Sequence, residues 1–295
     1  MKKMIALILS VMMLGAAFAG CGASNQADDT DYSQMSMDEL RPLITTITEG
    51  KLTMVTSPDM APYEFYVIGA DGQPTLAGFD IALARYIAQY IGLELEIIPM
   101  DFDGTISELN NKKADIGMAG YSPDPTRAKA MDMSNIYYMG EQSFVTTKDK
   151  AAQFTALEDA NKPEYQIGAQ MGSIQAKLAQ EHTPEADIVE LGKVTDIVAE
   201  LLGGKLDGAF IEKLPAQAYA KNYPELQLVL DVPYDAAGNV VGVAKGNGPL
   251  LAAVNLAIAE AQKDGSLDRF VADANEQAAG NIYEGLIEEE TKPEA

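Results

Sequence analysis

Residues 78–102 read GFDIALARYIAQYIGLELEIIPMDF. The hydrophobic period changes partway along this stretch, and the change sets the fold class. Ile81, Ala84, Ile87, Ala88 and Ile91 recur at helical spacing and make one apolar face. Asp80 stands where a helix N-cap belongs, and Gly92 supplies a stop. Residues 93–100, LELEIIPM, then read as a strand. A helix delivered straight into a strand is half of a βαβ unit, whose crossover covers one face of a parallel sheet.

The same alternation extends in both directions. KLTMVTS (51–57) reads as a strand, PDMAPYEFYVI (58–68) as a loop and short extended run, and GADGQPTLAG (69–78) as a turn-rich hairpin connection. Residues 104–113 predict a short helix facing inward through Ile106 and Leu109. ADIGMAG (114–120) predicts a short buried strand. DPTRAKAM (124–131) opens a helix with Asp124 as cap and Pro125 at the first helical position. The pattern restarts after Lys148. YQIGAQ, DIVEL, LDGAFIE and LQLVLDV read as strands, separated by helices after Gly172, in TDIVAELLGGKL and in PAQAYAKNY. VVGVAKG (240–246) and a helix over 249–264 come last. Two α/β lobes with sheets covered on both faces are expected.

Asp and Glu number 44 against 21 Lys and Arg, a formal net charge of -23. That excess excludes nucleic acid as a partner, because phosphate contacts need cations. It equally excludes a polybasic membrane patch. The acidic surface serves solubility. The one histidine, His182, is expected on the surface of the second lobe. No His/Cys/Asp spacing suggests a metal site, and neither a G-x-S-x-G elbow nor a P-loop occurs. The reading is therefore of a non-enzyme without cofactor or metal.

Residues 1–22 read MKKMIALILSVMMLGAAFAGCG. A short positive head, an apolar run of about 15 residues and a small-residue end predict a secretory signal over 1–20, since a spanning helix needs ~20 residues. The single cysteine, Cys21, follows Phe18-Ala19-Gly20 in a pattern that resembles a bacterial lipoprotein signal. Acylation there is the expectation, and one cysteine cannot form an intrachain disulfide. Residues 21–40 are expected to be a tether and residues 273–295 an extension with an acidic tail.

GFDIALARYIAQYIGLELEIIPMDF, KADIGMAG, TRAKAMDMS, LDGAFIE and VVGVAKGNGPL follow in the order and spacing of a known family. Over about residues 50–270 the chain resembles the bacterial extracellular solute-binding proteins of family 3, the polar-amino-acid-binding components of ABC importers. The resemblance implies the periplasmic-binding-protein-like type II fold, two α/β lobes joined by two crossing strands around a ligand cleft. It places lobe one at residues 41–139 and 241–272, lobe two at 146–233, and the crossings at 140–145 and 234–240.

The resemblance also implies the site. Arg127 matches the arginine that clamps the ligand α-carboxylate, a task suited to a planar guanidinium fork. Glu212, ending LDGAFIE, matches the acid that takes the α-ammonium. Gly120 and Ser122 match carboxylate contacts, joined by the backbone of Ala119, and Ser173 matches a hydroxyl position at the first helix of the second lobe. Ser57, Met60, Phe102 and Tyr121 match positions that select the ligand side chain. Members that take cationic amino acids often carry Asp at the position of Ser57, so a neutral or polar amino acid is slightly favoured here. Asp59 and Tyr121 leave open whether they enter the pocket.

The implied partners are a free amino acid and an importer permease, with the chain a monomer that meets the membrane only through its lipid. The implied location is the extracytoplasmic face of the cell membrane. A dehydratase-like enzyme on the same fold and a ligand-sensing surface protein are the alternatives. Palmitate labelling and intact mass of the exported protein should show Cys21 as an acylated N-terminus, and a soluble mature form lacking Cys21 would rule the anchor out.

Overall fold

The computed structural model describes residues 30–69, 71–234, 238–280 and 282. The expected signal peptide, Cys21, the tether up to residue 29, the tail beyond 282 and part of the second crossing (235–237) lie outside the described residues. Residues 30–34 belong to a unit of their own, with one 3-10 turn over Tyr32–Gln34.

The larger unit contains two mixed sheets. In the first lobe, β1 (Lys51–Thr56) lies parallel to β4 (Glu94–Pro99) and to β5 (Ile116–Gly117). Strand β12 (Gly242–Ala244) returns antiparallel between β5 and β6 (Met131–Met133), giving the order β4-β1-β5-β12-β6. A separate hairpin joins β2 (Phe65–Ile68) to β3 (Pro74–Ala77). In the second lobe, β8 (Gln166–Gln170) runs parallel to β9 (Asp187–Leu191) and β10 (Gly208–Glu212). Strand β7 (Gln142–Thr147) pairs antiparallel with β10 and with β11 (Leu226–Val232).

The helices follow the sequence periodicity closely. Helix α1 spans Met37–Leu40, α2 Phe79–Ile91, α3 Phe102–Asn110 and α4 Arg127–Ala130. The second lobe contributes α5 (Ile174–His182), α6 (Val194–Leu202) and α7 (Lys213–Asn222). Helices α8 (Gly248–Lys263) and α9 (Ser266–Ala278) close the first lobe. The predicted apolar face of α2 is buried throughout, and Gly92 ends it in the left-handed region. In the second lobe Phe144, Phe154 and Phe210 pack edge to face. His182 is half-buried, its ring stacked on Phe210.

Four expectations need correction. Asp80 does not cap α2. The cap is Gly78, whose φ of +117° and approach to the Tyr63 carbonyl, 2.1 Å from where a Cβ would lie, exclude a side chain. Asp80 sits one residue into the helix, fully buried. The first crossing does not fall at 140–145, because residues 142–147 are hydrogen-bonded on both sides within the second sheet. It runs between Met133 and Gln142, and meets the second crossing at an antiparallel bridge of Tyr138 with Asn239.

The tether also ends sooner than residue 40. Glu39 accepts hydrogen bonds from the Ser36 amide (2.8 Å) and hydroxyl (2.7 Å), Arg41 donates to the Ile91 carbonyl, and Leu40 is 0 % exposed. At the other end, α9 runs five residues past 273. Its Leu267, Ala274 and Ala278 share one buried face, and Ala278 clusters with Ala61, Phe65 and Ala218.

Residues 36–40 are therefore part of the folded lobe. Leu40→Ala should lower the stability of the mature domain by about 2–5 kcal/mol in urea unfolding, as core truncations do. A change within error would return these residues to the tether.

Candidate functional site

The C-terminal ends of the parallel strands of both lobes meet at one seam, where α/β sheets present their loops. The turn after β1 carries Ser57, Asp59 and Met60; the loop after β5 carries Ala119, Gly120, Tyr121 and Ser122. From the second lobe come Gln170 at the end of β8, Gly172 and Ser173 after it, and Glu212 at the end of β10.

Arg127 opens α4. The expected cap at Asp124 and first helical position at Pro125 fall two residues early, because α4 begins at Arg127 with Thr126 as its N-cap; the Asp124 carboxylate instead accepts from the amides of Thr126 (2.8 Å) and Arg127 (3.2 Å) in the preceding turn. The Arg127 side chain is only 7 % exposed. It donates to the Ser122 carbonyl at 3.0 Å within its own lobe and to the Gly172 carbonyl at 3.4 Å across the seam. Its Cζ stands 5.2 Å from the centre of the Phe102 ring and 5.8 Å from that of Tyr121. Burial draws its pKa below the ordinary arginine value. A buried cation held by carbonyls alone is underpaired, because a carboxylate bonds the fork more strongly.

Glu212 is 2 % exposed. Its Oε1 lies 2.5 Å from the Tyr63 hydroxyl, which lies 3.0 Å from Asn239 Oδ1. Burial pushes the Glu212 carboxyl up to about 8, with hydrogen bonding to Tyr63 and Asn239 acting against it. Asp59, left open by the sequence, enters the seam. It accepts from the Ser57 hydroxyl (2.7 Å) in its own lobe, and from Gln170 Nε2 (2.9 Å) and the Val194 amide (2.6 Å) in the other. Tyr219 donates to its carbonyl at 2.8 Å. Burial raises Asp59 to about 6, opposed by the hydrogen bonds from Ser57 and the Val194 amide.

The other expected residues fall into distinct settings. Gly120, at φ +56°, donates its amide to Asp80 and its carbonyl accepts from Asn239; the Met60 methyl fills the space above it. Phe102 and Tyr121 pack edge to face beneath Arg127, and the Tyr121 hydroxyl is bonded to Thr105. Tyr121 is thus a buried platform for the arginine. Ala119 lies in the same apolar cluster. Ser122 is buried and its hydroxyl meets Tyr234. Ser173 uses its hydroxyl to cap α5, donating to the Gln170 carbonyl and accepting from the Ala176 amide.

Sequence reasoning passed over Tyr63, Glu64 and Asn239, and read Asp80 only as a helix cap. Glu64 is 1 % exposed, and neither carboxylate oxygen has a hydrogen-bond donor. Burial first, then the neighbouring Asp80, pushes its pKa well above the usual range. Asp80 accepts from the Gly120 amide (3.2 Å) and the Tyr137 hydroxyl (2.7 Å), and burial raises it to about 6. The available signal was a carboxylate embedded in an apolar run, in PYEFYVI and in GFDIALA. Among the described residues no group of three or more His, Cys, Asp or Glu is arranged to hold a metal ion.

Asp59 links the lobes through two donors that Ala cannot replace. Asp59→Ala should weaken binding of the best ligand by about 1–3 kcal/mol, the cost of leaving buried donors unpaired, or roughly fivefold to a hundredfold in Kd. Calorimetric titration measures it, and an unchanged Kd would show that the latch does not contribute to closure.

Residues 52–273 match the family described as bacterial extracellular solute-binding proteins, family 3. The chain is 30% identical over 274 residues to the arginine-binding extracellular protein ArtP of Bacillus subtilis, spanning 92% of this chain and 96% of that one. Among solved structures, the substrate-binding protein AbpA of Streptococcus pneumoniae bound to L-arginine superposes with a TM-score of 0.75 at 30% identity, covering 78% of this chain and 97% of that one. The ancestral amino acid-binding protein AncCDT-1, a precursor of cyclohexadienyl dehydratase, gives a TM-score of 0.69 at 29% identity over 81% of this chain and 99% of its own. The two lobes, their mixed sheets and the connecting strands are those of the type II periplasmic-binding-protein fold. On the match over residues 52–273 and the likeness to ArtP, the chain belongs to the bacterial extracellular solute-binding proteins, family 3.

Proposed function

We propose that this protein captures a free cationic amino acid of the arginine class between its lobes and passes it to an ABC importer. It is an extracytoplasmic amino-acid-binding protein of the kind that serves ABC transporters, and it is not an enzyme. The observation that carries the site reading is a buried guanidinium on one lobe and a buried carboxyl on the other, Arg127 and Glu212, at a single seam. A zwitterion offers each the partner it lacks. The ligand carboxylate takes the Arg127 fork in place of its carbonyl partners, and the α-ammonium takes Glu212. Contact with both lobes by one molecule is what shifts the open–closed equilibrium towards closure.

The choice of a cationic side chain reverses the expectation drawn from Ser57. That expectation assumed an acid at position 57 is the source of negative charge. Ser57 instead bonds Asp59, and Asp59 is already satisfied by three donors. The remaining buried acid is Glu64, whose two oxygens accept from no donor and which shares a side-chain hydrogen bond with Asp80. A guanidinium or ammonium at the end of a ligand side chain supplies the missing donors and lets Glu64 ionise. The name of the relative ArtP and the L-arginine bound to AbpA support the same class. Met60 and Phe102 supply apolar walls for the side-chain stem.

The proposal includes acylation at Cys21 after removal of residues 1–20, which anchors a monomer on the outer face of the membrane. Firm anchoring takes more than one acyl chain.

In thermal-shift assays over the twenty amino acids, arginine and lysine should raise Tm most. Arg127→Ala and Glu212→Ala should each lose about 2–5 kcal/mol of binding, roughly a 30- to several-thousand-fold rise in Kd. Glu64→Gln should weaken arginine far more than any neutral amino acid. Near-wild-type affinity in the Arg127 variant sinks the carboxylate assignment, and a panel led by neutral ligands sinks the cationic one.

A further inference from the structure

Residues 122–127, SPDPTR, carry the first lobe's buried cation. Three contacts from beyond that lobe hold this short segment. Arg127 Nη2 donates to the Gly172 carbonyl at 3.4 Å. The hydroxyl of Tyr234, where the second crossing begins, donates to the Pro123 carbonyl at 3.4 Å. The third contact is the shortest and joins two full charges. Lys177 Nζ donates to Asp124 Oδ2 at 2.8 Å. Lys177 is the fourth residue of α5, the helix that Ser173 caps. The seam is also spanned by Lys193 and Asp101, but they stand 3.8 Å apart with more than half of each side chain exposed. Exposed pairs of that kind contribute little.

Asp124 divides its two oxygens between the lobes. Oδ1 accepts from the Thr126 and Arg127 amides, and so fixes the backbone from which the Arg127 side chain leaves. Oδ2 accepts from Lys177 of the second lobe. The Asp124 side chain is 11 % exposed and that of Lys177 is 48 % exposed. The bonds to Oδ1 lie within one lobe and hold the carboxylate in place. Forming the pair therefore orders one long side chain, not two, which removes part of the entropy cost that makes most surface pairs weak. The partners belong to different lobes, so the pair exists only where the lobes are in contact. Its acidic member lies three residues before Arg127 and is bonded to the Arg127 backbone, so a pull on Oδ2 bears directly on the guanidinium.

We propose that Lys177 is a positioning residue for Arg127. By pairing with Asp124 across the seam it holds the turn that carries the guanidinium against the second lobe, and it slows release of the captured amino acid. The proposal rests on the reading of Arg127 as the carboxylate clamp, and it is indifferent to the side chain of the ligand. The pair forms only once the lobes meet, after the amino acid has been captured. It therefore acts on the dissociation rate and leaves the association rate alone. Being partly exposed, it is screened by salt, whereas the buried contacts to the ligand are screened much less.

The test is stopped-flow association and dissociation of L-arginine, or of whichever of the twenty amino acids gives the largest thermal shift. Lys177→Met keeps an unbranched apolar stem and removes the charge. It should raise the dissociation rate about two- to fivefold and leave the association rate unchanged. From about 0.1 M to about 1 M sodium chloride the screening length falls from about 10 Å to about 3 Å. Release from the wild-type protein should quicken over that range, and Lys177→Met should lose the increment. Lys177→Arg should keep release slow. Asp124→Asn retains an oxygen for the Thr126 and Arg127 amides and loses the charge, so it should quicken release to a similar degree. Added to Lys177→Met it should change nothing further. A wild-type dissociation rate in Lys177→Met would overturn the proposal, as would effects of the two substitutions that multiply in the double variant. Arg127→Ala separates the two readings. If that variant binds the ligand as wild type does, the clamp assignment fails and this proposal with it. If it loses affinity while Lys177→Met releases ligand at the wild-type rate, only the positioning role of Lys177 fails.

Discussion

Charged groups taken out of water at the seam, and not fully paired there, are the constraint on which this molecule turns. Arg127 is held by two carbonyls, Glu212 by a phenol and an amide, and Glu64 by no donor. Each is buried, and a buried charge without an opposite partner is costly enough to change protonation state or to demand a ligand. The carboxyls respond by moving their pKa values up. The guanidinium cannot respond in that way, since it stays charged at any ordinary pH. Carbonyls of both lobes hold it in place, so the arginine is the fixed charge at the seam and the acids are the adjustable ones.

The scaffold brings these groups together without strain in the sheets. Both lobes point the C-terminal ends of parallel strands at the seam, so the loops after β1, β5, β8 and β10 converge on one place. Beneath Arg127, Phe102 and Tyr121 form an apolar floor whose one polar atom is tied to Thr105. That floor excludes water from one side of the guanidinium while leaving its fork facing the other lobe. Asp59 adds a link that needs no ligand, because its donors come from both lobes. The closed arrangement thus has direct interlobe bonds of its own, and a ligand adds to them.

The crossing segments do more than connect. Their bridge sets Asn239 beside Gly120 of the first lobe and Tyr63, whose hydroxyl meets Glu212 of the second. The Tyr63 hydroxyl and the Asn239 amide thus join the crossing segments to both lobes at the seam. The crossing lies earlier than the sequence suggested because residues 142–147 are claimed by hydrogen bonds to β10 and β11. Only the region before them is free to bend.

The sequence by itself determined what depends on neighbours along the chain. The apolar face of α2, the strands on either side of it and the restart of the pattern after Lys148 were legible because backbone hydrogen bonding imposes periods of 3.6 and 2 on burial. The family spacing of the motifs drew attention to Arg127 and Glu212, and both are buried at the seam. The tertiary structure alone decided the roles of the acids. Asp80 in a first helical turn reads as a cap, and becomes a buried acceptor only because Gly120 and Tyr137, 40 and 57 residues away, face it. Tyr63 finds Glu212 and Asn239 at separations of 149 and 176 residues. Glu64 reads as an edge-strand residue and proves to be a buried acid without a donor. Local pattern fixes whether a side chain is turned inward. What it meets there, and hence whether it keeps its proton, is set by groups that only the folded chain brings near.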